Sequence, residues 1–374
     1  MSLADRRGDG ALTAVLPGWI TARLLVGGAL ALSRFLVDEL HPAAAGAAAR
    51  AHQGLLAWDA SWYARIAEHG YAPLPDESIR FFPLIPVLTR GLADVTPFDE
   101  RAALVVVANA SALALGLLLY RLVRLETGDA ALARRSVWLM ALAPPAYVFV
   151  MGYTEATASV LAVATFLALR TRRWGWAALA GALAGLARPV GVLLVVPAAI
   201  EAARSWRAVR PRERFRRLVA LVAPAAGAGV YLGWVQLHFG DWLLPLRIQR
   251  RHNLRGSFAN PITTLDHATR GLLDGHEVGT GLHVPWAVLL AVGVVISLRR
   301  WPLSYGAFAA AMLAAGISSS NLDSLERYAL SAFPFVLVAA GLLRREWLER
   351  GVLVLSGGAM VGYAVLVFLS AAVP

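Results

Sequence analysis

The chain contains no cysteine and no lysine. Without thiols there is no disulfide, no thiolate metal ligand and no cysteine nucleophile. All 35 basic residues are arginine, a matter of codon usage that says nothing about mechanism. Charge is scarce too. Only 16% of the 374 residues are charged, where a soluble domain carries about a quarter. Hydrophobic residues make up 58%, and the mean hydropathy is +0.59. This balance excludes a disordered chain, a collagen, a coiled coil and an ordinary soluble enzyme. A multi-pass membrane protein remains, because lipid replaces the polar surface that a soluble fold needs. No Gly-rich phosphate loop, no Cys/His ligand spacing and no His-Glu-x-x-His occurs, so no metal site and no cofactor are expected. A net charge of +11 would suggest nucleic acid in a soluble chain; here the arginines read as topology signals, and no nucleic-acid partner is expected.

Apolar runs lie near 15–37, 101–120, 136–150, 154–169, 174–187, 190–203, 216–239, 284–298, 303–319, 328–343 and 351–372. They predict an all-α polytopic protein with about eleven transmembrane helices, several of them short or broken, over a single domain 1–374. The first run is too long for a signal peptide and holds Arg23 and Arg34, so it reads as an uncleaved span within 1–38. An outer loop with interfacial helices follows at 39–100, then spans two to seven at 101–239. A second outer loop covers 240–283, and spans eight to eleven cover 284–374. With the N-terminus in the cytoplasm, 21 arginines fall inside, 12 fall in the longer outer loops, and two lie in the first span. The C-terminus is then extracytoplasmic, and the plasma membrane is the expected location.

Arginine clusters at 170–173 and 204–217 place both ends of 174–203 on the inner side. Each limb has only about 14 residues, roughly 21 Å of helix against a core of about 30 Å. The turn Arg188-Pro189-Val190-Gly191 therefore belongs below the outer surface, buried in protein or lining a cavity. The 136–169 hairpin, turning at Gly152-Tyr153-Thr154-Glu155, is short in the same way.

In the first outer loop, Trp58, Trp62, Ile66 and His69 recur at helical spacing. Asp59 opens that helix. It is either a general base toward a hydroxyl at the membrane surface or a helix N-cap. Arg188, at membrane depth, is either a phosphate ligand or half of an internal ion pair, for instance with Glu155. Glu155 either complements the start of its own helix or orients a sugar hydroxyl. Arg327 is either a second phosphate clamp or an interfacial arginine beside the belt residue Tyr328. The second outer loop holds Arg247, Arg250, Arg251, His252 and Arg255, which would grip a donor phosphate or rest on anionic headgroups. Trp62, Tyr63, Phe82 and His69 are either sugar or lipid contacts or belt residues.

Trp58-Asp59 through Tyr63, His69-Gly70-Tyr71 and Phe81-Phe82-Pro83-Leu84-x-Pro86 together resemble the PIG-V-type mannosyltransferases of the GT-C glycosyltransferase superfamily. Gly152-Tyr153-Thr154-Glu155, Arg188-Pro189-Val190-Gly191, and Glu326-Arg327-Tyr328 followed by Phe333-Pro334 continue the resemblance in order, over roughly 55–340. It implies a GT-C-type fold with an acidic catalytic residue in the first outer loop, at Asp59. It also implies a polyprenyl-phosphate sugar donor, with mannose favoured, transfer with inversion, and an acceptor hydroxyl. Besides donor and acceptor, the expected partners are membrane lipids. A transporter or lipid flippase, and a non-catalytic scaffold subunit of a glycosylation complex, are the alternative readings.

Overall fold

The structure, a computed structural model, describes residues 5–40, 46–251, 254–274, 283–320, 322 and 324–373. It is helical throughout; among the described residues the only β pairing is an isolated bridge between Phe258 and Ser319. The helices are α1 Asp5–Leu40, α2 Ala47–Gln53, α3 Asp59–His69, α4 Leu84–Ala93, α5 Glu100–Thr127 and α6 Ala130–Leu142. Then come α7 Glu155–Arg170, α8 Trp174–Ala187, α9 Val195–Ala203, α10 Pro211–Phe239, α11 Leu244–Gln249 and α12 Pro261–Leu273. The last are α13 Val284–Arg300, α14 Leu303–Ile317, α15 Leu325–Ser331, α16 Pro334–Leu342 and α17 Glu346–Phe368.

Every one of the eleven apolar runs contains helix, but the lengths differ greatly. Among the described residues, α1, α5, α10 and α17 are long and apolar enough to cross a membrane alone, and α15 with α16 adds a fifth if that broken pair counts as one span. The remaining runs hold shorter helices. α8, for example, has 14 residues, or about 21 Å of rise. Among the described residues, then, four or five of the expected eleven spans qualify by length and composition.

The chain divides into two compact units. Unit 1 comprises Met1–Glu68, Ile85–Val163 and Val336–Pro374; unit 2 comprises His69–Leu84 and Ala164–Phe335.

In unit 1, α1 packs on α5, α6 and α17. Small residues let these helices approach. A Cβ on Gly116 of α5 would meet Val15 Cγ1 at 2.5 Å, and one on Gly18 would meet the Trp138 ring at 3.3 Å. Polar groups within the packed helices are matched. Arg23 Nε donates to Asn109 Oδ1 at 2.8 Å, and Asn109 Nδ2 donates to the Val150 carbonyl at 3.0 Å. The α5–α6 corner is written locally. Gly128 takes a left-handed φ of 69° to end α5, and the Asp129 carboxylate accepts from the amides of Ala131 and Leu132 to start α6.

In unit 2, α8 and α10 run side by side at very close range. Gly181, Gly185 and Gly227 lie at their crossing, and a Cβ on Gly185 or Gly227 would collide with the Pro224 or Ala182 carbonyl oxygen. After α8 the chain turns through Arg188 in extended conformation, winds one 3-10 segment over Pro189–Leu194 and continues into α9. Gly191 packs its α-carbon against the Ala184 carbonyl, where any side chain would clash. An aromatic core of Phe166, Tyr305, Phe308 and Phe333 fills another part of this unit, with ring centroids 4.8 to 6.3 Å apart.

Candidate functional site

Seven of the residues singled out from sequence fall into two groups, Asp59, Trp62, Tyr63 and Glu155 in unit 1 and Arg188, Arg327 and Tyr328 in unit 2.

In unit 1, α3 begins at Asp59, directly after Trp58, whose φ of 60° is left-handed. That conformation costs a non-glycine residue about 1–3 kcal/mol and must be held by its surroundings. Trp58 is pinned at both ends of its side chain. The indole Nε1 donates to the Val367 carbonyl at 3.0 Å, and the Arg50 guanidinium stacks 4.3 Å above the ring. Its own carbonyl accepts from the amide and the hydroxyl of Ser61, closing the first turn of α3. The Asp59 amide donates to the Tyr153 hydroxyl at 3.3 Å. Asp59 is half-buried, at the first helical position rather than the residue before it. A carboxylate there is favoured by the helix dipole and keeps a path to solvent.

Tyr153, fully buried, belongs to the Gly152–Glu155 turn that precedes α7. The Gly152 amide donates to the Leu55 carbonyl at 2.9 Å, and a Cβ at Gly152 would meet Leu104 at 2.9 Å and Ala60 at 3.3 Å. Two sequence motifs 94 residues apart therefore form one substructure. Glu155, 1% exposed, opens α7 behind them. Trp62 is half-buried under the Arg65 guanidinium, at 5.2 Å, and Tyr63 is buried.

In unit 2 the centre is the Tyr328 ring. Arg255 Cζ lies 4.2 Å from its centroid and Arg188 Cζ lies 5.2 Å away. Arg327 joins them, so that three guanidinium charges act on one phenol, and Arg255 also hydrogen-bonds it. Arg188 and Arg327 are buried, at 8% and 9% exposure. Arg255 donates to the Gly316 carbonyl at 2.8 Å and to Ser319 Oγ at 3.0 Å. Both of these acceptors are neutral. The neighbouring Glu326 is engaged by His283 Nδ1 at 2.6 Å. α15 starts from Ser324 at a left-handed φ of 64°, and the α8-to-α9 turn supplies Arg188. Such a cluster is suited to an anion that accepts bidentate guanidinium bonds, above all a phosphate.

Arg188 and Arg327, read from the sequence as phosphate ligands, thus lie about Tyr328, read as a sugar or acceptor contact. Arg250 and Arg251 are elsewhere in unit 2. Arg250 is exposed, and Arg251 pairs with Glu77 at 2.5 Å. Arg255, from the same basic stretch, lies over the Tyr328 ring. Its only sequence signal was membership of the same basic stretch. His252 lies outside the described residues. Phe82 is 2% exposed and packs on Tyr231 with ring centroids 4.7 Å apart, beside Tyr71, so its ring serves the core of unit 2. His69 is exposed at the end of α3. The Tyr71 hydroxyl donates to the Phe81 carbonyl at 2.7 Å, and burial, then the neighbouring Tyr231, push its pKa up. Among the described residues no group of three or more His, Asp or Glu side chains could hold a metal ion.

No family model and no curated protein matches the chain. Among solved structures it is similar to the Archaeoglobus fulgidus oligosaccharyltransferase in its apo form, with 14% identity and a TM-score of 0.43 over 93% of this chain and 55% of that one. It is similar also to archaeal oligosaccharyltransferase AglB from Archaeoglobus fulgidus in complex with an inhibitory peptide and a dolichol-phosphate, with 13% identity and a TM-score of 0.42 over 95% of this chain and 55% of that one. The chain spans about half the length of these structures.

Proposed function

We propose that the chain is an integral membrane glycosyltransferase of GT-C type. It moves a sugar, with mannose favoured, from a polyprenyl-phosphate donor to an acceptor hydroxyl on the extracytoplasmic face of the cell membrane. The observation that carries this reading is the arginine cluster about Tyr328 in a chain whose long helices are apolar enough for lipid. Charge at membrane depth is expensive and is retained where an ion or substrate needs it. A lipid-linked phosphate is an anion whose tail belongs in the same apolar surroundings.

The acceptor oxygen attacks the anomeric carbon from the face opposite the phosphate. The C1–O bond to phosphate breaks, its electron pair leaves on the phosphate oxygen, and configuration inverts. Asp59 takes the acceptor proton. Arg188, Arg327 and Arg255 stabilise the charge that grows on the departing phosphate. Fixed charge in a water-poor site costs no reorganisation when the reaction occurs, and this is usually the largest catalytic contribution. Glu155, buried beside the Asp59 turn, is suited to hold that turn's electrostatics or a sugar hydroxyl. The N-terminus is cytoplasmic and the C-terminus extracytoplasmic, as the arginine distribution indicates.

The test is to incubate the purified protein in sealed proteoliposomes with radiolabelled polyprenyl-phosphate mannose and a membrane lipid extract. A mannosylated product is expected. Label that crosses a sealed bilayer unchanged would identify a flippase, and no product without an added second transferase would identify a scaffold.

A further inference from the structure

α8 and α10 run parallel, and their first turns frame a cleft of about 530 Å³. Its wall carries Arg172, Arg173 and Arg216, with Trp174, Trp176 and Phe215 between them. It shares no residue with the Tyr328 cluster.

The acids near this cleft are already engaged. Glu213 is gripped by the buried Arg217 through Nη2 at 2.7 Å and Nε at 3.1 Å. Arg217 also caps the carbonyls of Ala202 and Arg204 and stacks 4.9 Å over Trp174, which fixes the cleft floor. Glu201, buried, receives Arg170 at 3.3 Å, Arg204 at 3.1 Å and Ser304 Oγ at 2.7 Å. Among the described residues, no ion pair holds Arg172, Arg173 or Arg216; Arg172 acts only at a distance on Glu213. Arg172 has a left-handed φ of 55°, so the turn between α7 and α8 sets two consecutive arginines on the cleft rim. The lining thus combines a rigid, neutralised floor with three surplus guanidinium charges.

The rest of the lining is apolar and open. Trp176 is 64% exposed and Phe215 is 67% exposed. Large aromatics at the end of apolar helices belong at headgroup depth in a bilayer. Beyond them Val219 and Val222 expose an apolar strip along α10. Charge for a phosphate from the α7–α8 turn and Arg216, aromatics for a glycerol from both helices, and an apolar strip on α10 border the one cleft. A free phosphate would use only the first of these three.

We propose that this cleft is a binding site for an anionic phospholipid. Arg172, Arg173 and Arg216 grip its phosphate, Trp176 and Phe215 flank the glycerol, and an acyl chain lies along Val219 and Val222. Guanidinium groups match phosphate oxygens bidentately, and basic pockets between membrane helices select anionic headgroups. The flanking connections carry three arginines at 170–173 and seven at 204–217, which assigns the site to the cytoplasmic leaflet.

The experiment is native mass spectrometry of the full chain in detergent, titrated with phosphatidylglycerol or phosphatidylcholine. One retained phosphatidylglycerol is expected, with at least tenfold preference over phosphatidylcholine. Arg172→Gln/Arg173→Gln/Arg216→Gln should lose that preference while keeping its helical circular dichroism. Trp176→Ala, which leaves all three charges, should weaken retention several-fold. Equal retention of both lipids, or unchanged preference in the folded triple variant, would overturn the proposal. So would displacement of phosphatidylglycerol by equimolar inorganic phosphate, which would show a bare anion site.

Discussion

The amide of Asp59 donates to the hydroxyl of Tyr153 at 3.3 Å. The residue proposed as the base is therefore held through its backbone by a turn 94 positions later, and Trp58 on its other side is pinned to the Val367 carbonyl. The main chain that carries its side chain is thus fixed from two directions.

Tyr153→Phe should keep the fold and loosen the first turn of α3. Loss of one neutral hydrogen bond costs about 1 kcal/mol. Transfer should fall several-fold in kcat with little change in donor KM, because the donor phosphate is held by other residues. Steady-state assays of the two proteins check this. A change confined to donor KM would contradict it.

Arg255→Gln and Arg250→Gln separate two arginines that are five residues apart in the chain. Arg255 lies over Tyr328, whereas Arg250 is exposed. Removing a preorganised group that stabilises developing charge costs roughly 10²-fold in rate. Arg255→Gln should lose about that much, and Arg250→Gln should lose less than twofold. Equal effects would dissolve the distinction drawn from the Tyr328 cluster.

These two arginines also mark what sequence could and could not disclose. The apolar runs announced their helices, and limb length with arginine placement announced the turn at Arg188. Each of those runs holds helix, but short helices such as α8 do not qualify as spans alone, so among the described residues length and composition support four or five. The pairing of the Trp58–Tyr63 and Gly152–Glu155 segments was not legible, since nothing local encodes contact across 94 residues. Arg255 stood in a basic stretch where composition ranks no member above another; only the packing of α15 against the loop selects it. Phe82 illustrates the converse. An aromatic next to proline in an outer loop reads alike whether it faces a ligand or Tyr231.

Tyr71 supplies a pH signature. Its pKa is raised, chiefly by burial, so the folded state resists losing that proton. The sign follows directly. Its contribution to stability is complete below the ordinary phenol pKa of about 10 and declines as pH rises beyond it, by at most about 1.4 kcal/mol per pH unit. Thermal melts between pH 9 and 11 should therefore fall more steeply for the wild type than for Tyr71→Phe, and should not differ in slope between pH 6 and 9. Parallel curves above pH 10 would contradict this.

The most direct test of the central claim is transfer from radiolabelled polyprenyl-phosphate mannose by Asp59→Asn, reconstituted beside the wild type with equal membrane insertion. Removing a general base costs about 10²–10⁴-fold. The account predicts loss in that range at unchanged donor binding. Wild-type transfer by the correctly inserted variant would show that Asp59 is not the base.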